Sequence, residues 1–366
     1  MIRVAQIMGY MNGGGVEQIV LNYYRHLDRE QVQFDFLVCE GSSHVPIEEI
    51  SSMGGRVFEI PAYQKPFSYQ RVVKDLCRKH KWPIVHSHVN ALSFFPLRAA
   101  KKAGVPVRIA HSHSSSGGGE GEFARDILKG ILKHLSACYP THRFACGDTA
   151  GRWLFGDAFF EVIPNAINLS EFRPGASDRT RVLAELDLPQ ESFVVGHAGR
   201  MVPQKNQKRL LRIFAALRLL EPRSVLLFVG DGPLDQELRK EAHFLGIAES
   251  VRFLGQRSDM SRLYRAFDVF CLPSAYEGFP VVSVECQASA VPLLVSSAVG
   301  DETAITSLVE FESLSSSDKS WAMHLLSLKG ARATPSDIAE LDRFDISVAA
   351  CRLQQKYLAA AEELAR

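Results

Sequence analysis

No stretch of this 366-residue chain stays apolar for the ~20 residues that a bilayer-spanning helix requires, so any membrane contact is read as peripheral. Neither sign of charge prevails. With 42 Lys and Arg against 41 Asp and Glu there is no long-range field to draw a nucleic acid, and no such partner is expected. Cysteine is present but unpatterned. Cys39, Cys77, Cys138, Cys146, Cys271, Cys286 and Cys351 form no CxxC, their odd number argues against a complete disulfide framework, and they read as reduced thiols of a cytosolic protein. The first eight residues lack the basic start and long apolar region of a secretory signal and read instead as a first strand, so no export is expected.

What the chain does contain is apolar residues in strand-sized pieces. A hydrophobic share of 46% beside 23% charged residues belongs to a globular protein, because enough apolar surface is available to offset chain entropy. The length is too great for one ordinary core and points to two domains. β-rich runs at residues 3–8, 34–39, 56–60, 84–87 and 107–111 alternate with helical patterns, which implies a parallel sheet flanked by helices. The alternation restarts at 193–198, 225–230, 251–254, 269–272 and 293–296, so the predicted domains are 1–168 and 169–345. Residues 346–366 form a separate amphipathic helix, with Ile346, Ala349, Leu353, Tyr357, Ala360 and Leu364 at helical spacing and no Gly or Pro. Gly117, Gly118, Gly119 and Gly121 make the one low-complexity stretch, read as a loop that is either disordered or closes over a ligand.

Three segments carry candidate chemistry. Gly13, Gly14 and Gly15 follow the first strand and open a helix; its N-terminal amides could face a phosphate, although Gly-rich turns are common and the spacing is not the dinucleotide GxGxxG. Arg200 and Lys205 lie beyond the strand at 193–198, where open α/β sheets bind ligands and two cations can neutralise a diphosphate; a solvated loop is the alternative. In PSAYEGFPVVSVE, Glu277 and Glu285 fall on either side of Pro280. With proline in the first helical turn, Glu277 sits in the loop and Glu285 about five residues, or ~7.5 Å, up the helix. Glu285 has apolar neighbours and needs a hydrogen-bonding partner to be buried there, unless it lies on an exposed face.

Histidines recur in HSH pairs, His86 with His88 and His111 with His113. Alternate strand residues share a face, so such a pair could ligate a metal; with no third ligand nearby in sequence, no metal site is expected.

Taken in order, GGGVE, HSH, IPNAIN, GRxxxxKN, GDGP, FLG and E-x7-E span nearly the whole chain. The sequence in this respect resembles the family 4 glycosyltransferases, the retaining enzymes of GT-B fold common in capsule and exopolysaccharide synthesis. The resemblance implies an α/β chain of two Rossmann-like domains facing across a cleft, with the C-terminal helix packing back towards the first. It implies hexosyl or N-acetylhexosaminyl transfer from a nucleotide diphosphate sugar, UDP-linked by family habit, to a saccharide carried on polyprenyl diphosphate. The reaction would take place in the cytoplasm, at the inner face of the membrane.

The same resemblance assigns roles. Glu285 would hold the ribose hydroxyls; Glu277 with the backbone of Gly278 and Phe279 would hold the transferred sugar. Arg200 and Lys205 would bind the diphosphate, assisted by amides near Gly14 and Gly15, and the base would lie against the backbone around Gln256 and Arg257. His113 or His111 would stand close to the reacting sugar, and a same-face internal return would account for retention. No DxD is present to hold a divalent ion at the diphosphate, so no metal or other cofactor is expected. Phe94, Phe95, Arg98, Lys101, Lys102, Lys129, Lys133 and His134 are candidates for membrane contact or ordinary helix faces. One departure stands out: Ala290 occupies the family's glycine position and would be strained there if φ is positive. A non-hydrolysing sugar-nucleotide 2-epimerase and a non-catalytic nucleotide-sugar-binding scaffold are the alternatives.

Overall fold

Strands buried on both faces of a parallel sheet need near-continuous apolar runs, and the runs of this chain take that form. In the computed structural model, which describes residues 1–115, 135, 138–173, 178–331 and 335–363, they become two all-parallel sheets. The chain divides into one unit made of residues 1–166 and 343–366 and another of 167–342. The divisions thus fall at 166/167 and 342/343, beside the sequence-based 168/169 and 345/346.

The first unit holds β1 (Ile2–Gly9), β2 (Val32–Cys39), β3 (Arg56–Ile60), β4 (Ile84–Ser87), β5 (Val107–Ser112), β6 (His142–Ala145) and β7 (Glu161–Val162), in the order β3-β2-β1-β4-β5-β6-β7. The second holds β8 (Phe193–Ala198), β9 (Ser224–Val229), β10 (Val251–Phe253), β11 (Val269–Leu272), β12 (Leu293–Ser296) and β13 (Val309–Glu312), in the order β10-β9-β8-β11-β12-β13. Chain order reverses between β1 and β4 in one sheet and between β8 and β11 in the other. These are the points where such sheets bind ligands, beyond the carboxyl ends of their strands.

Helices cover the sheets with one apolar stripe each. In Gln207–Leu220 the buried Leu210, Leu211, Phe214 and Leu217 recur at helical spacing, and Trp321 of the helix Asp318–Ser327 completes that core. Each such side chain contributes about 1.5–3 kcal/mol of burial. The last helix, Ile346–Glu362, starts where the Asp345 side chain accepts a bond from the Ser347 amide. Its Leu353 and Tyr357 face the first unit, to which the helix belongs. The predicted helix ran on to residue 366; 364–366 lie outside the described residues, as do the Gly117–Gly121 stretch and Lys129, Lys133 and His134.

Ala290 has φ 56°, the left-handed conformation that the sequence raised as a risk, at a cost of about 1 kcal/mol relative to glycine.

Candidate active site

Three loops meet beyond the carboxyl ends of β8, β9 and β10. The Gly199 amide donates to the Val229 carbonyl (2.9 Å), that of Met201 to Asp231 (2.7 Å), and that of Gly230 to Gly255 (2.8 Å). Such close lacing requires glycine. A Cβ on Gly230 would lie 2.3 Å from the Gly199 carbonyl oxygen, and one on Gly232 2.6 Å from that of Met201. The GDGP motif therefore serves as packing that fixes the loop bearing Arg200, whose guanidinium is exposed. The Gln207 side chain adds a bond to the Arg200 carbonyl at 2.9 Å.

The short turn Pro203–Lys205 is stitched in turn to the loop after β11. Asn206 donates to the Pro273 carbonyl (3.0 Å), the Ala275 amide to the Gln204 carbonyl (2.8 Å), and Gln204 Nε2 to the Tyr276 carbonyl (2.9 Å) and Glu277 Oε2 (3.3 Å). The result is a close ion pair: Lys205 Nζ lies 2.6 Å from Glu277 Oε1, with side chains 16% and 7% exposed. At such burial the attraction is weakly screened, and a charge left without its partner is costly. Gly278 and Phe279 follow, both buried.

Pro280 caps the helix Val281–Ala288, and Glu285 is its fifth residue. There Glu285 Oε2 accepts a hydrogen bond from the Tyr264 hydroxyl at 3.0 Å. Burial pushes the Glu285 carboxyl up to about 7, against the opposing effect of the tyrosine bond. Gln256 and Arg257 are exposed and engaged locally. Gln256 donates to Asp231 (3.0 Å), while Arg257 pairs with Asp259 (2.7 Å), which raises the guanidinium's proton affinity. Their backbone is what remains for a ligand.

In the first unit, Gly14 caps the helix Gly15–His26, and the anion held by its turn is the chain's own. Glu17 accepts the amides of Asn12 (3.1 Å), Gly13 (2.7 Å) and Gly14 (2.9 Å). A phosphate using the Gly14 amide must displace that carboxylate; Gly15 enters the first helical turn directly behind it.

The histidines gather at the β1–β4 switch point. His86 is opposite Gln6 of β1 and Ile109 of β5, and the same register runs His88 alongside His111. His86 Nδ1 lies 2.6 Å from the Tyr357 hydroxyl and its Nε2 3.1 Å from His111 Nδ1. His88 Nε2 lies 2.8 Å from Gln6 Oε1 and its Nδ1 2.9 Å from His113 Nε2. Burial holds His86, His88 and His111 well below the usual imidazole range and pushes His113 down to about 3, so all four are neutral near neutrality. The third nitrogen that no residue nearby in sequence offers comes from the neighbouring strand: one nitrogen each from His86, His88 and His111 lie within 4.8 Å of one another. Between the two cleft candidates, His111 is 4% exposed and His113 is the more accessible.

The structure thus joins Lys205 to Glu277 within the second unit, where Arg200, Gln256, Arg257, Gly278, Phe279 and Glu285 also lie; Gly14, Gly15, His111 and His113 belong to the first. Sequence reasoning missed Gln204, Tyr264, Gln6 and Tyr357, which hold the functional side chains in place. Tyr264 acts on a residue 21 positions away and Tyr357 on one 271 away, so no local pattern signals them. The proposed membrane face changes too: Phe94 and Phe95 pack against the first unit's core, leaving Lys101 and Lys102 exposed. No helix among the described residues is long and apolar enough to cross a membrane.

Comparison with known proteins bears on both units. Residues 14–166 match the family described as "Glycosyl transferase 4-like domain", and residues 178–310 that described as "Glycosyl transferases group 1". The protein of Bacillus subtilis (strain 168) described as "Putative glycosyltransferase EpsF" is 36% identical over 329 residues, covering 87% of this chain and 86% of that protein. The UDP-Gal:alpha-D-GlcNAc-diphosphoundecaprenol alpha-1,3-galactosyltransferase of Escherichia coli is 29% identical over 319 residues, covering 82% of this chain and 80% of its own. Among solved structures, Anabaena Alr3699/HepE in complex with UDP-glucose superposes with a TM-score of 0.80 at 18% identity, over 98% of this chain and 100% of that one.

Proposed function

Because the chain belongs to the family 4 glycosyltransferases of the exopolysaccharide type, with the GT-B fold, we propose that it moves a hexose or N-acetylhexosamine from a UDP-linked donor to a growing lipid-diphosphate-linked saccharide, with retention of configuration. The observation that carries this reading is the Lys205–Glu277 pair, buried at the carboxyl ends of β8 and β11 beside Arg200. On donor binding the pair opens: Lys205 turns to the diphosphate with Arg200, and Glu277 accepts a sugar hydroxyl, with the backbone of Gly278 and Phe279 alongside. Two cations stabilise the negative charge that develops on the leaving diphosphate, so transfer needs no metal there. Glu285 accepts the ribose hydroxyls, the backbone at Gln256 and Arg257 takes the base, and the turn at Gly14 and Gly15 assists the phosphates.

His113, with His111 behind it, serves the reacting sugar. The departing phosphate takes the acceptor's proton on the same face, which accounts for retention without a carboxylate nucleophile. The acceptor and the polysaccharide role are carried over from the relatives: the galactosyltransferase is named for an undecaprenyl-diphosphate acceptor. Such a lipid would bring the protein to the cytoplasmic membrane face in capsule or exopolysaccharide synthesis, with Lys101 and Lys102 available to anionic headgroups.

A thermal-shift screen of UDP, GDP and ADP sugars, with Mg²⁺ or with EDTA, tests this reading. Stabilisation by a UDP-sugar in EDTA supports it, and no stabilisation by any donor overturns it. In the same assay Glu285→Ala should weaken UDP and UDP-sugar alike, whereas Glu277→Ala should chiefly weaken the intact donor; equal effects of the two substitutions would contradict the division of roles.

A further inference from the structure

The histidine cluster at the β1–β4 switch point pairs its imidazoles with one another and leaves one buried ring nitrogen, His111 Nε2, over. Gln6 Nε2 donates to the Tyr357 hydroxyl at 3.3 Å, so Gln6 Oε1 is the acceptor for a proton on His88 Nε2. That tautomer leaves a lone pair on His88 Nδ1, which His113 Nε2 meets at 2.9 Å and which an ion would take in its place. The Tyr357 hydroxyl holds His86 Nδ1 at 2.6 Å, and His86 Nε2 lies 3.1 Å from His111 Nδ1, a contact that an ion would replace once both nitrogens are unprotonated. His111 is 4% exposed, and its Nε2 has no hydrogen-bond partner among the described residues, an uncompensated polar atom in a buried place. Beside these imidazoles is a small cavity that they line together with Gln6 and Tyr357, with room for about one water-sized guest.

His86 and His88, with outer nitrogens held by a hydroxyl and an amide oxygen, have the outer-partner arrangement of metal-ligating histidines, and one nitrogen of each converges with one of His111. A tetrahedral ion bound at 2.0–2.1 Å spaces its nitrogens by about 3.3 Å. The edge from His86 Nε2 to His111 Nδ1 is already 3.1 Å, which makes Nδ1 the His111 ligand and leaves Nε2 to carry that ring's proton, and the set of three spans no more than 4.8 Å, so a side-chain adjustment of about an ångström closes it. Three neutral nitrogens favour zinc and its transition-metal neighbours over Mg²⁺ or Ca²⁺, which prefer oxygen.

We propose that His86, His88 and His111 bind a single Zn²⁺ ion within the first unit, apart from the diphosphate-binding residues of the second. The ion cross-links β4 and β5, and through the Gln6 and Tyr357 bonds it ties them to β1 and the C-terminal helix.

The test uses the full chain with its affinity tag removed, stripped with dipicolinate and titrated with Co²⁺, a spectroscopic stand-in for zinc. Saturation at one ion per chain with the intense visible bands of a tetrahedral site, displaced by Zn²⁺, supports the assignment. His88→Gln with His111→Gln should abolish uptake, and Gln6→Leu should weaken it about 10- to 100-fold by freeing the outer nitrogen of His88. Replacing the exposed His243 by Gln should change nothing. Absence of saturable uptake by the wild-type chain overturns the proposal, as does uptake undiminished in the double variant. Should that variant fail to fold, the wild-type titration and Gln6→Leu still decide. Glycosyl transfer is not the readout, so failure here leaves the donor-site reading standing.

Discussion

The two units repeat one strand order and fill its switch point with opposite chemistry. At β8 and β11 the second unit places full charges, Lys205 against Glu277, with Glu285 nearby in sequence on the next helix. At β1, β4 and β5 the first places neutral groups: four imidazoles, an amide and a phenol, linked by hydrogen bonds. The same backbone therefore builds a buried charge pair in one half and a network of neutral polar side chains in the other. What differs is the residue beyond each strand end, which the fold itself does not constrain.

Substitutions can break or sharpen that contrast. Lys205→Ala should have the largest effect, since it strands Glu277 and, in the proposed donor site, removes a diphosphate cation: transfer should fall about 10²- to 10³-fold, and urea unfolding should show a loss of about 3 kcal/mol. A variant of unchanged stability would show that the pair is not a buried charge pair. In the first unit, Tyr357→Phe removes the hydroxyl between Gln6 and His86, and thermal unfolding should register about 1–2 kcal/mol, without the large loss of transfer.

Glu285 gives the second unit a pH signature. Its folded value of about 7 stands above the ordinary 4.5, so its contribution to stability is full below about pH 4.5 and is lost as pH rises through about 7. Glu285→Gln should therefore gain stability relative to wild type as pH rises across this window, by about 1 kcal/mol or more in thermal unfolding. A constant difference would show that the carboxyl is not raised. On the proposed assignment of Glu285 to the ribose, UDP should bind more tightly over the same rise. The smallest effect belongs to Ala290→Gly, which relieves the φ of 56° and should stabilise by at most about 1 kcal/mol, part of it offset by the freer unfolded chain.

How much of this was legible varies from element to element. The ten strands with apolar or β-branched runs were readable; β6, β7 and β13 were not, because HRFA, EV and VEFE are short and partly polar. Pro280, Glu277 and Glu285 fall in the structure where their spacing put them, one before and one within the helix Val281–Ala288. GDGP had no role assigned from sequence beyond the family resemblance, because a close backbone approach such as it makes beneath the Arg200 loop leaves no trace in residue chemistry other than glycine itself.

By itself the sequence determined the periodicity, and with it the parallel α/β class, as well as which residues carry charge and in what order, and hence the family. Tertiary structure alone decided partnership. Lys205 meets Glu277 across 72 residues, Glu285 receives Tyr264 across 21, and two HSH pairs become one cluster through the register of β4 and β5. Periodicity is a local property that each segment expresses against water, whereas pairing across tens or hundreds of residues exists only once the sheet has fixed which strand lies beside which.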